Sequence, residues 1–160
     1  MKKGEKGVLI FIAMVVLAMM IWNSEKLSKS SNQDKEIPFY SDASMDVKQA
    51  GSAIYRRYQC KRCHSLWTVK DIMQTVPAPA LDGIGALRDA SWLMRYLSVA
   101  NPQDILPSRL KTEYRMPSYS TMPEKDRKVL VAYLASLKVK PWYLDELKKT
   151  ECRKLTGEKC

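Results

Sequence analysis

The sequence predicts an all-α protein, and three observations support this fold class. Only six glycines occur in 160 residues, and two of them lie within the first seven positions. The strict alternation of apolar and polar residues that is typical of strands is scarce. Apolar residues recur instead at helical spacing, most clearly in the segment VLVAYLASL, where one stripe is formed by Val129, Leu130, Tyr133, Leu134 and Leu137.

The N-terminus combines a positively charged start with an uncharged apolar run. Lys2, Lys3 and Lys6 precede Val8–Trp22, which is 15 residues long. As a helix this run would span about 22 Å, short of the roughly 30 Å of a bilayer core. We predict that residues 1–23 form a single uncleaved N-terminal transmembrane helix, with a removed signal peptide as the alternative. The lysines hold this end in the cytoplasm, and the rest of the chain is exported.

Composition divides the remainder into three parts. Residues 24–45 are polar and rich in Ser, Asp, Asn and Lys, which predicts a tether. Residues 46–140 carry the helical patterns and are predicted to form the folded domain. Pro141 ends the last helix, and residues 141–160 form a tail that contains Cys152 and Cys160.

The segment YQCKRCHS contains Cys60, Cys63 and His64, and His64 is the single histidine of the chain. A structural zinc site needs four ligands, and the other two cysteines lie far along the sequence. A thioredoxin-like redox pair needs a preceding strand, whereas this segment follows a predicted helix. The remaining chemistry is covalent haem attachment. Both thiols would add to the haem vinyl groups as thioethers, and the adjacent histidine would reach the iron from the same turn.

A methionine is the leading candidate for the second iron ligand, because a thioether suits iron and no second histidine exists. Two methionines lie in YRMPSYSTMPEKD. Thr121 and Glu124 have the spacing of a capping box, which makes Met122 the first helical residue. Met116 lies in the loop before this helix, and Pro117 keeps the loop extended. We therefore predict His64 and Met116 as axial ligands, with Met122 as the alternative.

These motifs resemble those of class I c-type cytochromes of the bacterial, membrane-anchored, monohaem kind. Four segments carry the resemblance, in the expected order: AGSAIYRRYQCKRCH, PAPALDGIG, WLMRYLSVANPQ, and RMPSY followed by VLVAYLASL. The similarity extends from about Met45 to Leu137. It implies the all-α class I cytochrome c fold around one covalently bound heme c.

The resemblance also implies roles for individual residues. Gly51 lets the first and last helices approach, with Tyr133 packed at their crossing. Tyr55 and Trp92 contact the haem. The carbonyl of Pro79 accepts a hydrogen bond from His64, and Pro77 is the second candidate for this role. Two features depart from the family pattern: Ser65 stands where glycine is frequent, and the segment from Ile105 to Arg115 resembles an insertion.

The net charge of +10 bears on the partners of the protein. Basic residues cluster around the haem motif at Arg56, Arg57, Lys61 and Arg62. They predict either a docking surface for an acidic redox partner or a solvated helix face. Nucleic-acid binding is disfavoured, because no recognition motif is present. In an exported protein a Cys152–Cys160 disulfide is plausible, and an intermolecular bond is the alternative.

Together these features predict a membrane-anchored one-electron carrier, or an electron-transfer subunit of a respiratory or redox complex. Two filled axial positions leave no site for substrate, so we predict that the chain is not an enzyme. The haem domain would lie on the periplasmic side of a bacterial inner membrane. The alternative is a haem enzyme or a gas or redox sensor with a labile sixth ligand, which only the insertion before Met116 favours.

Overall fold

The computed structural model describes residues 12–22, 37–67, 76, 78–158 and 160. The chain divides into two units, Met1–Glu36 and Ile37–Cys160. In the first, helix α1 covers residues 12–22, and its side chains are exposed throughout. The first four residues of the predicted apolar run and most of the predicted tether lie outside the described residues. Within the described ranges, no helix is both long enough and apolar enough to cross a membrane.

The second unit is rich in helices, as predicted. Its regular elements are β1 (Phe39–Ser41), α2 (Met45–Arg57), α3 (Ile84–Leu87), α4 (Ala90–Ser98), α5 (Glu124–Ala135), β2 (Leu137–Val139) and α6 (Leu144–Thr156). Short 3₁₀ turns lie at Cys60–Arg62, Pro102–Asp104, Thr112–Tyr114 and Pro141–Tyr143. Two three-residue strands are the only strands in the described part of this unit, and the sequence did not predict them.

Helices α2 and α5 cross in close contact at Gly51. A Cβ atom at this position would lie 2.2 Å from Cβ of Tyr133, which is far inside van der Waals distance. Tyr133 itself is almost fully buried. The absence of a side chain on Gly51 is therefore what lets the two helices approach, and the predicted crossing is confirmed.

The core lies between α2, α4 and α5. Ile54 of α2, Leu93 and Leu97 of α4, and Leu130 and Leu134 of α5 are all buried in it. Ser44 and Asp89 cap the starts of α2 and α4 by accepting hydrogen bonds from Val47 N and Trp92 N. Burial of this apolar surface is the main stabilising term for the unit.

The two strands pair the segment before α2 with the segment after α5. β1 pairs antiparallel with β2, with Phe39 opposite Val139 and Ser41 opposite Leu137. Phe39 packs edge-on against Tyr143, with ring centroids 5.3 Å apart. Residues 37–45, which the sequence assigned to the tether, thus belong to the compact unit. The polar composition around them concealed a strand whose partner lies almost 100 residues away, since such long-range pairing leaves no local pattern.

The start of α5 differs from the predicted capping box. The helix begins at Glu124, Pro123 occupies the N-cap position, and no side chain caps it. Met122 therefore precedes the helix instead of forming its first residue, and Glu124 pairs with Lys128 at 2.6 Å. The proline explains the difference, because its backbone is extended (ψ 136°).

The C-terminal tail folds back as helix α6. Leu147 is buried, and Arg88 forms an ion pair of 3.1 Å with Glu151. Gly83, in the left-handed region (φ 77°), lies where a Cβ would meet Val139 and Leu147. A disulfide joins Cys152 and Cys160, whose Cα atoms are 6.1 Å apart. The tail is thus packed on the segments around α3 and β2.

Candidate functional site

A tight turn after α2 brings the three residues of the CxxCH motif together. Gln59 adopts a left-handed conformation (φ 56°), which ends the helix. The carbonyl of Cys60 then accepts hydrogen bonds from the backbone N–H groups of Cys63, at 3.2 Å, and His64, at 2.9 Å. Backbone bonds within five residues therefore fix the relative positions of both thiols and the imidazole.

The imidazole of His64 is oriented by one hydrogen bond. Its Nδ1 lies 2.7 Å from the carbonyl oxygen of Pro79. A carbonyl can only accept, so Nδ1 carries the proton and Nε2 keeps its lone pair. Burial lowers the pKa of His64, and the bond to Pro79 partly offsets that effect. The neutral ring is thus the form that this site favours, with Nε2 available to a metal. Pro77, the second candidate for this role, lies outside the described residues.

Two further contacts hold Pro79 and His64 in place. The backbone N–H of Leu81 donates to the carbonyl of Ser65 at 2.9 Å, which closes the loop that carries Pro79. Tyr55 donates from its hydroxyl to the carbonyl of His64, also at 2.9 Å. Ser65, at the position where glycine was expected, is buried. The structure therefore places Tyr55 beside the histidine backbone.

The two cysteines of the motif are not joined in a disulfide. Burial raises the pKa of the Cys60 thiol to about 11, although a hydrogen bond from Tyr119 acts in the opposite direction. The same burial raises the pKa of Tyr119 to about 12. Tyr119 belongs to the loop of Met116 and also contacts Tyr58, with ring centroids 6.1 Å apart. It links the methionine loop to the first cysteine.

The surroundings of the motif fit a large, flat, apolar group. Eight half-buried apolar residues pack against the core: Tyr58, Cys60, Leu66, Leu81, Trp92, Met94, Met116 and Tyr119. Partial burial is expected of side chains that a cofactor would cover. Two thiols, a neutral imidazole with a free Nε2 and a thioether form the donor set of a covalent haem.

The two candidate methionines lie in different environments. Met116 is half-buried in the loop before α5, and its carbonyl accepts a hydrogen bond of 3.2 Å from Nε2 of Gln103. Met122 is only 4% exposed and belongs to the central cluster of the core. The thioether of Met116 is thus the one that remains accessible.

Trp92 lies on α4 and is half-buried. Its ring stacks on Tyr96, with centroids 4.8 Å apart, and the guanidinium of Arg88 lies 5.0 Å from its centroid. These contacts fix the position of the indole. The contact of Trp92 with haem stays a prediction.

The basic residues around the motif are exposed and have partners; Arg56 donates from Nε to the carbonyl of Ser52 at 3.3 Å. Arg57 pairs with Asp126 at 3.0 Å, and Arg62 donates to the side-chain oxygen of Gln59. Arg56 and Lys61 are also exposed. The four side chains extend along the outer surface of α2 and the CxxCH turn.

Three residues that hold the site were not identified from the sequence: Gln103, Tyr119 and Arg127. Gln103 and Tyr119 act through contacts with residues elsewhere in the sequence, and such contacts leave no pattern in a sequence. Arg127 did leave a weak signal. It is a cation in the first turn of a helix, where the helix dipole disfavours positive charge.

Comparisons with known proteins yield one match. The family model described as Cytochrome c matches residues 48–138, which contain the CxxCH turn, α4, the methionine loop and α5. No curated protein matches the chain significantly, and neither does any solved structure.

Proposed function

The chain belongs to the cytochrome c family, whose members carry covalently attached heme c, and on that premise we propose that it is a one-electron carrier or an electron-transfer subunit of a redox complex. Haem-based electron transfer is the general function of this family. The haem would supply a reversible Fe(III)/Fe(II) couple. The observation that carries the proposal is the 2.7 Å contact between Nδ1 of His64 and the carbonyl of Pro79.

That contact prepares the histidine side of the iron. With the proton fixed on Nδ1, Nε2 presents its lone pair without any change of tautomer. The hydrogen bond to the carbonyl of Pro79 also makes Nε2 a stronger electron-pair donor to the iron. Cys60 and Cys63, held in the same turn, would form the two thioether bonds. The sequence contains one such motif, which supports a single haem.

The methionine side is proposed to be completed by Met116. Its half-buried position and the contact of its loop with Cys60, through Tyr119, support this choice over Met122. A thioether ligand raises the reduction potential. With both axial positions filled, no open site remains for a substrate, so the chain would transfer electrons without bond chemistry.

A second function is favoured by one observation. An open pocket of about 420 Å³ borders Met116 and is lined by residues 100–103, 112–113 and 115–118. The segment that resembles an insertion supplies one wall. The pocket would give a small ligand room next to Met116, as in a haem enzyme or a gas or redox sensor with a labile sixth ligand.

We further propose that the N-terminus anchors the haem domain to the outer face of a bacterial inner membrane. Three lysines precede the apolar run, and the apolar side chains of α1 are exposed in the described part of the chain. The Cys152–Cys160 disulfide suits an exported domain. Membrane fractions should retain the protein after a carbonate wash, and external protease should digest the haem domain in spheroplasts. Release by carbonate would contradict anchoring.

The partner is proposed to be a redox protein with an acidic docking surface. The net charge of +10 and the exposed Arg56 and Lys61 beside the haem motif support it. Electrostatic association of this kind becomes slower as ionic strength rises. A rate of electron exchange with an acidic redox protein that does not depend on salt would contradict it.

The experiment that tests the carrier is a visible spectrum of the purified protein, oxidised and reduced, with and without carbon monoxide. The carrier should give a low-spin reduced spectrum that carbon monoxide does not change, and a methionine-to-iron band when oxidised. A spectrum that shifts with carbon monoxide would reject the filled sixth position and favour the sensor or enzyme.

A further inference from the structure

Arg127 joins three segments: α5, the loop from Met116 to Met122, and the end of α4. It lies in the first turn of α5 and is half-buried. Its Nη2 donates to the carbonyl oxygens of Met122, at 2.7 Å, and Ser120, at 2.8 Å, with a longer contact of 3.4 Å to Tyr119. Its Nη1 donates to Oγ of Ser98, at the end of α4, at 2.8 Å.

The loop from Met116 to Met122 depends on such contacts, because it has no regular secondary structure. Gln103 holds its first carbonyl, and Ser118 donates from its hydroxyl to the carbonyl of Val99 at 3.1 Å. Tyr119 donates from its hydroxyl to the carbonyl of Tyr58 at 3.4 Å. These side-chain contacts join the loop to α5, to the segment around the end of α4 and to the residue after α2. Arg127 binds three of the seven loop carbonyls, the largest share in the described part of the chain.

An arginine at this position carries costs that a purely structural residue would avoid. A cation in the first turn opposes the helix dipole, and partial burial removes water from the guanidinium. Its Nε is buried, and no residue that the structure describes offers it a hydrogen-bond partner. The benefit is geometric: the planar guanidinium holds two nitrogens in a fixed fork, so that Nη2 reaches the loop carbonyls while Nη1 reaches Ser98, a span that the single ammonium of a lysine does not cover.

We propose that Arg127 is a positioning residue for the sixth iron ligand: its guanidinium holds the loop so that the thioether of Met116 stays on the iron. This inference rests on the proposed function, because it requires Met116 to be the ligand. Arg127 acts through the carbonyls of Tyr119, Ser120 and Met122. Without it, the carbonyls of Ser120 and Met122 would lose their side-chain donor, and Gln103, Ser118 and Tyr119 would be left to hold the loop.

The test compares Arg127→Met and Arg127→Lys with a matched control, Lys128→Met, in the haem-loaded full chain. The control removes a positive charge at the next position of α5, from an exposed side chain that pairs only locally with Glu124. The control should keep the methionine-to-iron band. Arg127→Met should lose at least half of the band and bind carbon monoxide when reduced, and its reduction potential should fall further than that of the control. Arg127→Lys keeps the charge without the fork and should lose part of the band.

A urea titration separates positioning from general stability. In Arg127→Met the urea concentration at which the band disappears should fall further below the midpoint of the helical circular dichroism signal than it does in the control. If Arg127→Met does not fold, Ser98→Ala provides a milder test, because it removes the acceptor of Nη1 together with the hydrogen bond of 2.7 Å that the hydroxyl donates to the carbonyl of Met94. Its band and its helices should also separate further in urea than those of the control.

Each result has a defined meaning. Full band intensity and indifference to carbon monoxide in both folded Arg127 variants would overturn the inference, as would a Ser98→Ala variant whose band and helices separate no further in urea than those of the control. If the wild-type protein lacks the band, or if Met116→Ala retains it, the proposed ligand is wrong and the inference falls with it. If Met116→Ala loses the band and the Arg127 variants keep it, only the inference fails.

Discussion

The histidine side and the methionine side of the site are built in different ways. On the histidine side, the turn from Cys60 to His64 closes through backbone hydrogen bonds within five residues. On the methionine side, the loop from Met116 to Met122 is held by side chains that come from other segments, chiefly Gln103 and Arg127. The closure of the CxxCH turn is local, although His64 also contacts Pro79 and Tyr55 from outside the turn. The methionine side relies on tertiary side-chain contacts.

This difference predicts how each side responds to perturbation. A local turn forms whenever its own few residues adopt their conformation, so it tolerates loosening elsewhere. A loop fastened by distant side chains opens when any of its partners moves, and such regions have the lower free energy of local opening. We therefore expect the histidine to remain near the iron under conditions in which the methionine has already left it.

The strongest test of the local side is loss of the thiols. Replacing Cys60 or Cys63 by alanine should remove stable covalent haem and make the domain sensitive to protease, because the haem fills part of the core. Haem retention after acid-acetone extraction and limited proteolysis measure the two effects. The double variant Cys152→Ala, Cys160→Ala is the control and should keep its haem. Full retention by either single variant would contradict the proposed attachment.

The tertiary side is tested by comparing its two methionines. Met116→Ala should open the sixth position, so that the reduced protein binds carbon monoxide, with little change in the free energy of unfolding. Met122→Ala should do the reverse, with a loss of about 2–5 kcal/mol, because the side chain is buried in the core. Carbon monoxide spectra and urea unfolding distinguish the two. The opposite pattern would move the ligand to Met122.

The helix crossing supports both sides, and Gly51→Ala tests it. An alanine would gain about 1 kcal/mol from helix propensity, but its Cβ would overlap Tyr133 at 2.2 Å. Overpacking costs about 1–3 kcal/mol, and so close an overlap places the cost near the upper end. We expect a net loss in urea unfolding. Ala53→Gly, at an exposed site of the same helix, calibrates the propensity term; a stabilised Gly51→Ala would show that the helices can separate cheaply.

The smallest expected effect concerns Tyr55. Tyr55→Phe removes the hydroxyl that donates to the carbonyl of His64, which should cost about 0.5–1.5 kcal/mol. Because the turn is closed by its own backbone bonds, the spectrum of the haem should not change. Tyr114→Phe, at an exposed position, is the control and should leave stability unchanged. A changed spectrum in Tyr55→Phe would mean that the histidine side is less local than described.

The same contrast explains what could be predicted from the sequence. The spacing of Cys60, Cys63 and His64 and the apolar stripe of α5 are local patterns, and they indicated the site and the helices. The pairing of Phe39 with Val139 and the reach of Arg127 to Ser98 join distant segments. Neither contact produces a periodic pattern in the sequence, so neither contact could be predicted.

The prediction of a capping box at the start of α5 was wrong for a related reason. Thr121 and Glu124 have the right spacing for a capping box, but spacing alone does not show which groups bind the backbone. In the structure the carbonyls before the helix are taken by Arg127, and Pro123 turns the chain. Pro123 therefore stands at the N-cap position, and no side chain caps the helix.

The crossing of α2 and α5 also sets an order of events during synthesis. The chain emerges from its N-terminus, and Tyr133 follows Gly51 by about 80 residues, which at about 5–20 residues per second corresponds to roughly 4–16 s. During that interval α2 has no partner to cross, and the thiols beside it lie on an unfinished chain. Until α5 is complete, the core beside the CxxCH turn therefore cannot close, and both thiols stay accessible for several seconds.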